Sequence, residues 1–343
     1  MADFPTGLRA SFTDHGLLSD SAVGRDRIGL AGLLGIRGHR ASRVGVPGDA
    51  VEGFRWRLRD VWNTTWWPQG IAPGEHHGRP VVVTSWFAQP RRGREMGSRI
   101  SVVDYSDPQR PRYHHVLLVA PRREHGRIAL DPVVVHAGGI AISGDRLFVA
   151  ATFGGIREFR LDDIMRAPSR GILRRPTGPF GYRYLLPEFA SYGPTASKKT
   201  PGRMRYSFLS LDGTPASNGD VRLVTGEYSK DDQRRLARLR LVDGRIEIDE
   251  LHLPGIPQMQ GAAVQDGRWF VSASRGDKTR GDLWVGQPGS LARLPGALPP
   301  GPEDLALWPE RRQLWCVSEF PGKRWVYGVD VAAWRPPSSG PRA

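Results

Sequence analysis

The sequence predicts an all-β fold assembled from repeated four-stranded units. Short runs of alternating or continuously apolar residues, each of strand length, recur in sets of four and are separated by turn residues. The first run of each set carries a short pattern, QGIA, GGIA, SFLS, QGAA or EDLA, and the repeats begin near residues 69, 138, 207, 260 and 303. No helical pattern of about 10–15 residues alternates with the runs. Radial repetition of four antiparallel strands is the signature of a β-propeller.

Five sets follow one another along the chain. The runs of the first set are Trp67–Ala72, Pro80–Phe87, Ser98–Tyr105 and Tyr113–Ala120. The second set holds His136–Ser143, Asp145–Phe153, Gly155–Ile164 and Tyr182–Phe189. The third holds Arg205–Leu211, Val221–Tyr228, Arg235–Val242 and Ile246–Leu253. The fourth holds Met259–Gln265, Arg268–Ser274, Asp282–Gln287 and Leu291–Leu298, and the fifth holds only Glu303–Pro309, Arg312–Phe320 and Arg324–Val331.

The fifth set lacks its outer strand, and a ring has to close. Either His39–Val46 or Gly53–Leu58 can supply a closing strand from the N-terminal region. We therefore predict a five-bladed propeller, with a sixth blade built from residues 10–60 as the alternative. The predicted organisation is an N-terminal segment with the ring-closing strand at 1–60, the propeller at 61–334 and a disordered tail at 335–343.

Composition narrows the class of protein. Lys plus Arg exceeds Asp plus Glu by 49 − 35 = 14 residues, and the single cysteine, Cys316, excludes an internal disulfide and a multi-cysteine metal site. No apolar run reaches the roughly 18 residues of a membrane span. The N-terminus as given lacks the basic stretch and apolar core of a signal peptide, so the expectation is a cytoplasmic protein or a secreted one whose signal has been removed.

The propeller topology predicts the location of a functional site without reference to a sequence motif. The loops before the first strands and after the second strands surround one mouth of the central axis, where loops on a rigid scaffold carry function. Residues at the starts of the first strands are Trp66, Trp67, Gln69, His136, Arg205, Tyr206, Gln258, Gln260, Glu303 and Asp304. Residues at the ends of the second strands include Trp86, Thr152, Glu227, Tyr228, Arg275 and Glu319. Buried polar groups need a partner or a ligand, so this concentration predicts a binding site.

The residue types suggest roles within that site. His136 and the carboxyl groups of Glu303, Glu319 and Glu227 are candidate general acids and bases. The candidates for substrate binding are Trp66, Trp67, Gln69, Trp86, Arg205, Tyr206, Gln258, Gln260, Asp304 and Arg275. Structural roles stay open for several of them: His136 as a hydrogen-bonded wall residue, Glu303 and Asp304 as braces for backbone N–H groups, and the Trp66–Trp67 pair as packing between blades. No cofactor motif is identified, and a divalent cation held by oxygen ligands stays an open expectation.

Basic residues gather in the connecting segments. All five lysines lie there, with a set of arginines: Lys198, Lys199, Lys230, Lys278, Lys323, Arg91, Arg92, Arg94, Arg203, Arg275, Arg280 and Arg324. A basic rim at one mouth would attract an anionic small molecule. Heavy use of arginine throughout the chain is the compositional alternative. Specific nucleic-acid binding is not predicted, because the basic residues are dispersed and no recognition motif occurs.

Several segments resemble known propellers. The segment TDHGLLSDSAVGRDRIGLAGLLG (13–35), with WWPQGIA, VVVTSWF, GSRISVVD, RYHHVLLV and HAGGIA, resembles a group of mostly secreted propeller proteins of high-G+C Gram-positive bacteria, from about residue 12 to 332. That resemblance implies the fold and supplies no catalytic residues. PQGI followed by VVVTSW and RISVVD is also similar to plant-type glutaminyl cyclase propellers. The acidic repeats of those enzymes are replaced here by HAGGIA and MQGAAV, so this second resemblance is architectural.

Three functions follow as hypotheses. The first is a small-molecule enzyme with non-redox acid–base chemistry in the central pocket, a lyase, cyclase or hydrolase, with specialised metabolism as one setting. The second is a propeller that binds a carbohydrate or an anionic ligand through the tryptophans and the basic rim. The third is a protein-interaction scaffold.

Overall fold

The computed structural model describes residues 7–13, 26–90, 93, 95–125, 127–167, 169–170, 175–176, 178–196, 200, 202–214 and 220–333. In these ranges the regular elements are mostly β-strands that pair antiparallel with their sequence neighbours. The all-β prediction is therefore confirmed. The tail at 335–343 lies outside the described residues.

The N-terminal part contributes short strands and two short helices. They are β1 (Leu8–Phe12), α1 (Gly29–Leu34), β2 (His39–Arg40), β3 (Ser42–Arg43), β4 (Ala50–Arg55) and α2 (Leu58–Val61). Helix α1 is formed by the apolar stretch IGLAGLLGI, which buries Leu30, Leu33 and Leu34. None of the helices in the described ranges has the length and apolar character needed to cross a membrane.

The strands that follow form successive four-stranded antiparallel units. The first is β5 (Trp66–His76), β6 (Arg79–Ala88), β7 (Ser98–Asp104) and β8 (Arg112–Glu124). The second is β10 (Ile140–Ser143), β11 (Arg146–Ala150), β12 (Ile156–Arg160) and β16 (Tyr184–Pro194). The third is β17 (Phe208–Leu211), β18 (Val221–Gly226), β19 (Leu236–Val242) and β20 (Arg245–His252). The fourth is β21 (Met259–Gln265), β22 (Arg268–Ala273), β23 (Arg280–Gly286) and β24 (Ala292–Pro300).

The last unit combines the two ends of the described chain. It consists of β25 (Pro302–Trp308), β26 (Gln313–Ser318), β27 (Trp325–Asp330) and, from the N-terminal part, β4. Strand β4 overlaps one of the two segments from which we expected a closing strand, and Phe54 lies opposite Val326 in the register. Strand β1 lies between β16 and β20 and joins the outer edges of the second and third units.

Smaller elements decorate the units. They are β9 (Arg127–Pro132), which pairs with β8; β13 (Met165–Arg166), which pairs with β16; and the hairpin β14 (Ser169–Arg170) with β15 (Arg175–Pro176). Single 3-10 turns occur at Leu161–Asp163, Pro179–Gly181, Pro309–Arg311 and Val331–Ala333.

The repeated glycines mark where inner strands meet at the axis. A Cβ atom added to Gly139 would lie 1.9 Å from the backbone nitrogen of Leu209, and one added to Gly261 would lie 2.3 Å from that of Leu305. No side chain fits at such distances, so the glycines of GGIA and QGAA permit close packing of neighbouring inner strands. This close approach is a physical reason for the glycine in those two repeats.

The axis is braced by a buried carboxyl group. Asp304, which is completely buried, accepts hydrogen bonds at Oδ2 from the backbone N–H of Ile71 at 3.2 Å and of Ile140 at 3.1 Å. The donors belong to the inner strands of two other units. The axis is therefore filled at this level and does not form an open channel. Depressions of ≈ 710 Å³ and ≈ 300 Å³ lie at the starting and the finishing ends of the inner strands, respectively.

Tryptophans fill the contact between the first and last units. The rings of Trp56 and Trp86 lie 5.1 Å apart and those of Trp308 and Trp315 lie 5.2 Å apart, and all four side chains are fully buried. Burial of large aromatic groups supplies much of the stabilisation at such a seam.

Candidate active site

A cavity of ≈ 710 Å³ opens at the face where the inner strands begin, which we call the upper face. Its size is typical of small-molecule sites. Its polar and charged lining comes from several units: Gln69, His136, Thr152, Arg157, Arg205, Ser207, Tyr228, Gln260, Glu303 and Glu319. The structure thus brings together eight of the residues predicted at this mouth of the axis, namely Gln69, His136, Thr152, Arg205, Tyr228, Gln260, Glu303 and Glu319.

Two carboxyl groups meet at this cavity. Glu303 is buried at the start of β25, and Glu319 follows the end of β26. Burial raises the pKa of Glu303 well above its usual range, and the adjacent Glu319, to which it is hydrogen-bonded, raises it further. Burial also raises the pKa of Glu319, while the hydrogen bonds from Glu303 and Gln69 oppose that rise. Because the hydrogen bond between them raises the pKa of Glu303 and opposes the rise at Glu319, a proton shared by the pair is favoured on Glu303.

Two glutamines fix the ends of this pair. Gln260 donates from Nε2 to Glu303 Oε1 at 2.9 Å, and Gln69 donates from Nε2 to Glu319 Oε2 at 3.3 Å. Each carboxyl group consequently has one oxygen anchored by an amide, which restricts its rotation. An arrangement of two neighbouring carboxyl groups, one protonated and one charged, can supply both a general acid and a general base.

His136 lies on the wall of the same cavity. Its ring packs on Phe87 with centroids 4.3 Å apart, and its side chain is exposed to the solvent of the cavity. The protein atoms around the recess lower the pKa of His136 through desolvation. The imidazole is therefore neutral near neutral pH and able to accept a proton.

Arg205 provides positive charge at the cavity. Its Nη2 donates to the backbone oxygen of Tyr228 at 2.9 Å, and its guanidinium lies 6.0 Å from the ring centroid of Phe153. Within the part of the chain that the structure describes, no carboxylate lies within ion-pair distance of Arg205. A guanidinium with spare donors at a cavity wall is a binding group for a carboxylate or phosphate.

Glu227 positions Arg205 and does not face the cavity. The buried carboxylate accepts the backbone N–H of Arg205 at 2.9 Å and two side-chain donors of Arg235, Nε at 2.8 Å and Nη2 at 2.7 Å. Burial alone would raise the pKa of Glu227, but the hydrogen bonds from Arg235 and from the backbone lower it overall. The catalytic role predicted for Glu227 is therefore replaced by a structural one, because its oxygens are already occupied.

The structure also corrects the substrate-binding role predicted for Trp66, Trp67 and Trp86. Trp66 and Trp86 lie in the hydrophobic core, where the guanidinium of Arg99 packs over both rings at 4.5 and 4.8 Å. Trp67 is half-buried and packs edge-on against Phe320. None of the three lines the cavity, so packing between units, the alternative interpretation, accounts for them.

Four further candidates are placed away from the cavity. Tyr206 is buried, its pKa is raised to about 12 by burial, and its backbone pairs with that of Thr152. Gln258 is held through its backbone, which accepts from Ser274 at 3.0 Å. Arg275 is exposed and forms an ion pair with Asp282 at 3.5 Å. Asp304 is enclosed at the axis, where it braces inner strands.

Sequence reasoning missed other lining residues. Arg157 on β12 lines the cavity and donates from Nη1 to both carboxylate oxygens of Glu188, at 2.8 and 2.9 Å. Phe153, which is exposed, and Ser207 also line it. Arg157 lies on a third strand, a position that the topological argument did not consider, and only the folded ring shows that its side chain reaches the cavity.

The basic rim is only partly visible. Arg91, Arg92, Arg94, Lys198 and Lys199 lie outside the described residues. The prediction that Arg324 belongs to the rim is wrong, because its side chain is buried. It donates from Nε to the backbone oxygen of Glu319 at 2.7 Å and from Nη1 to the backbone oxygen of Asp60 at 2.7 Å. Burial and the nearby Arg99 lower the pKa of Arg324 to about 10. Among the described residues, no group of three or more His, Cys, Asp or Glu side chains is arranged to hold a metal ion.

No protein-family model matches the sequence, and comparison with curated proteins finds no significant relative. Solved structures similar to the chain include a GH43 enzyme from Xanthomonas citri, with 11% identity, coverage of 82% of this chain and 89% of the other, and a TM-score of 0.42. The glutaminyl cyclase of Myxococcus xanthus has 12% identity, coverage of 86% and 100%, and a TM-score of 0.37. A gluconolactonase from Xanthomonas campestris has 11% identity, coverage of 86% and 86%, and a TM-score of 0.36. Likenesses this distant carry no information about activity.

Proposed function

We propose that this protein is an enzyme that performs non-redox acid–base chemistry on a small polar or anionic molecule held in the upper cavity. The reaction class is that of a lyase, cyclase or hydrolase. The observation that supports the proposal is the pair of hydrogen-bonded carboxyl groups, Glu303 and Glu319, in a cavity that also presents Arg205.

Each group has a distinct part in this proposal. Arg205 binds the anionic or strongly polar end of the substrate and fixes its orientation. Glu303, in its protonated form, donates a proton to the oxygen or nitrogen atom of the leaving group. Glu319, or the neutral His136 on the cavity wall, accepts a proton from the substrate in an elimination or cyclisation and from the attacking water in a hydrolysis. At the end of the reaction, proton exchange with water restores the original state of the pair.

A binding function is the second candidate. Arg205, the exposed ring of Phe153 and the half-buried Tyr228 together suit a carbohydrate or another polar ligand that carries an anionic group. This alternative needs no proton transfer, so the carboxyl pair would serve only as a hydrogen-bonding floor. The two functions therefore differ in whether the bound molecule is converted.

Turnover by defined variants distinguishes them. The purified chain is incubated with lactones for hydrolysis, N-terminal glutaminyl peptides for cyclisation and 3-hydroxy acids for elimination of water, and products are followed by proton NMR. We expect conversion of one class, with Glu303→Gln and Glu319→Gln each reducing kcat by roughly 100-fold or more. Glu75→Gln, at an exposed position on β5, is the matched control.

Two results would decide against the enzyme. Full turnover in both Glu303→Gln and Glu319→Gln would exclude the carboxyl pair as the proton carrier. Saturable binding of a panel member by calorimetry without product, lost in Arg205→Gln and kept in Arg275→Gln, would establish the binding function instead.

We also propose that the units are the blades of a five-bladed ring. The N-terminal strand β4 would close it by pairing with β27, which agrees with the predicted division into a closing segment and a propeller. Within the described ranges, the strands before β5 attach to β8, β16, β20 and β27 and do not assemble a unit of their own. An experimental structure with a sixth four-stranded unit would overturn this assignment.

A further inference from the structure

We propose that a second cavity, on the outer side of the first unit, binds a small molecule that carries a phosphate group. This cavity of ≈ 490 Å³ lies where α2, β7, β8 and the segment before β16 meet. The residues that argue for an anion are Arg37, Arg57, Arg59, Arg99 and Arg183. In the described part of the chain, this cavity and the upper cavity have no lining residue in common, so we treat it as a separate site.

The charge balance of the lining is strongly positive. Among the residues that the structure describes, the lining contains five arginines and a single carboxylate, that of Asp60. Asp60 is buried and already accepts hydrogen bonds from Arg57 Nε at 3.1 Å and from the hydroxyl of Tyr113 at 2.5 Å. Both of these hydrogen bonds use Oδ2, and Oδ1 forms an ion pair with Arg99 Nη2 at 3.9 Å. A single carboxylate leaves most of the positive charge of the lining without a counter-ion, which a bound anion would supply.

Arg99 is the residue that most directly indicates a ligand. Its side chain is only 6% exposed, and its Nη1 donates to the hydroxyl of Tyr182 at 3.1 Å. Its Nε and Nη2 have no hydrogen-bond acceptor in the described chain, and Nη2 lies 3.9 Å from Asp60 Oδ1, beyond hydrogen-bond distance. Buried donors of a charged group are costly to leave unpaired, so an acceptor admitted at this wall of the cavity would stabilise them.

The orientation of Arg99 is fixed before any ligand arrives. Its guanidinium lies 4.5 Å from the ring centroid of Trp66 and 4.8 Å from that of Trp86. A planar guanidinium held between two indoles presents its remaining N–H groups in a fixed direction, which suits a tetrahedral oxyanion. The surplus of positive charge favours a dianionic phosphate monoester over a monocarboxylate.

The volume of this second cavity favours a ligand larger than a bare phosphate ion. A cavity of ≈ 490 Å³ is in the range of small-molecule sites, and Tyr182 and Tyr184 add aromatic surface to its wall. We therefore infer a phosphorylated small molecule, such as a sugar phosphate, whose phosphate group contacts Arg99 and whose body lies along the tyrosines.

Calorimetry on the full chain tests this site. The titrants are inorganic phosphate, glucose 6-phosphate and malonate, the last as a carboxylate dianion. We expect saturable one-to-one binding of the phosphates, tighter for glucose 6-phosphate. Arg99→Gln should weaken binding at least tenfold. The double variant Arg59→Gln/Arg183→Gln, which changes two exposed residues, tests the same charge without disturbing the core.

The controls separate this site from the upper cavity. Arg275→Gln should leave phosphate affinity unchanged, and Arg205→Gln should keep saturable phosphate binding, because Arg205 lines the upper cavity and not this one. Absence of saturable binding of both phosphates to the wild-type chain would overturn the proposal. So would equal affinity for malonate, which would indicate a carboxylate site, or loss of binding in Arg205→Gln, which would place the anion in the upper cavity.

Discussion

The carboxyl pair of the upper cavity predicts a specific dependence of stability on pH. Burial raises the pKa of Glu303 in the folded protein, whereas the unfolded chain returns it to about 4.3. Between these two values the folded state keeps a proton that the unfolded state has lost. The free energy of unfolding therefore falls as the pH rises through this window, and the stabilisation is complete only below the unfolded pKa.

Glu303→Gln removes this dependence while preserving the contacts. The amide oxygen accepts from Gln260, as Glu303 Oε1 does at 2.9 Å, and the amide nitrogen donates to Glu319. One proton changes stability by at most about 1.4 kcal/mol per pH unit. The stability of the variant relative to wild type should therefore grow by up to about 3 kcal/mol between about pH 5 and about pH 7.

Urea unfolding followed by tryptophan fluorescence measures this difference. Wild type, Glu303→Gln and the exposed control Glu75→Gln are unfolded at several pH values, and groups that do not contact residue 303 cancel in the differences. If the Glu303→Gln difference stays constant with pH, or simply follows that of Glu75→Gln, the argument for a proton held on Glu303 is refuted.

Two further predictions concern the supports of the site. Asp304→Ala leaves the backbone N–H groups of Ile71 and Ile140 without their acceptor, so we expect the free energy of unfolding, measured with urea, to fall by about 2–6 kcal/mol. Asp304→Asn keeps an acceptor and should lose less stability. Equal losses in the two variants would contradict the bracing role. Glu227→Gln removes the charge that pairs with Arg235 and should cost about 3 kcal/mol at neutral pH. Because the folded pKa of Glu227 is lowered, this difference should shrink as the pH falls below about 4.3, and a difference that persists in acid would contradict the ion pair.

The sequence carried enough information for the strand pattern and for part of the site. Eight predicted residues line one cavity because the starts of inner strands and the ends of second strands necessarily lie at the same face of a radial fold. This topological rule predicts which positions lie at that face, but it does not predict the direction in which each side chain points. It placed Glu227 and Asp304 in the site, although the first is enclosed by Arg235 and the second lies at the axis.

Aromatic residues show the same limit. Adjacent tryptophans at a strand start are compatible with both a ligand surface and core packing. Trp66 and Trp86 are buried because Arg99 and Trp56 occupy their faces, and those partners come from other strands and from the N-terminal segment. The sequence immediately around Trp66 or Trp86 does not indicate those contacts.

Periodicity and glycine placement in the sequence determined the all-β class and the positions of the inner strands, since both are properties of neighbouring residues along one strand. Only the tertiary structure decided that Glu303 lies beside Glu319, that Arg205 keeps spare donors, and that Arg99 is buried with unpaired ones. These features depend on distances between groups far apart in the chain and on exclusion of water, which arise only when the units pack together.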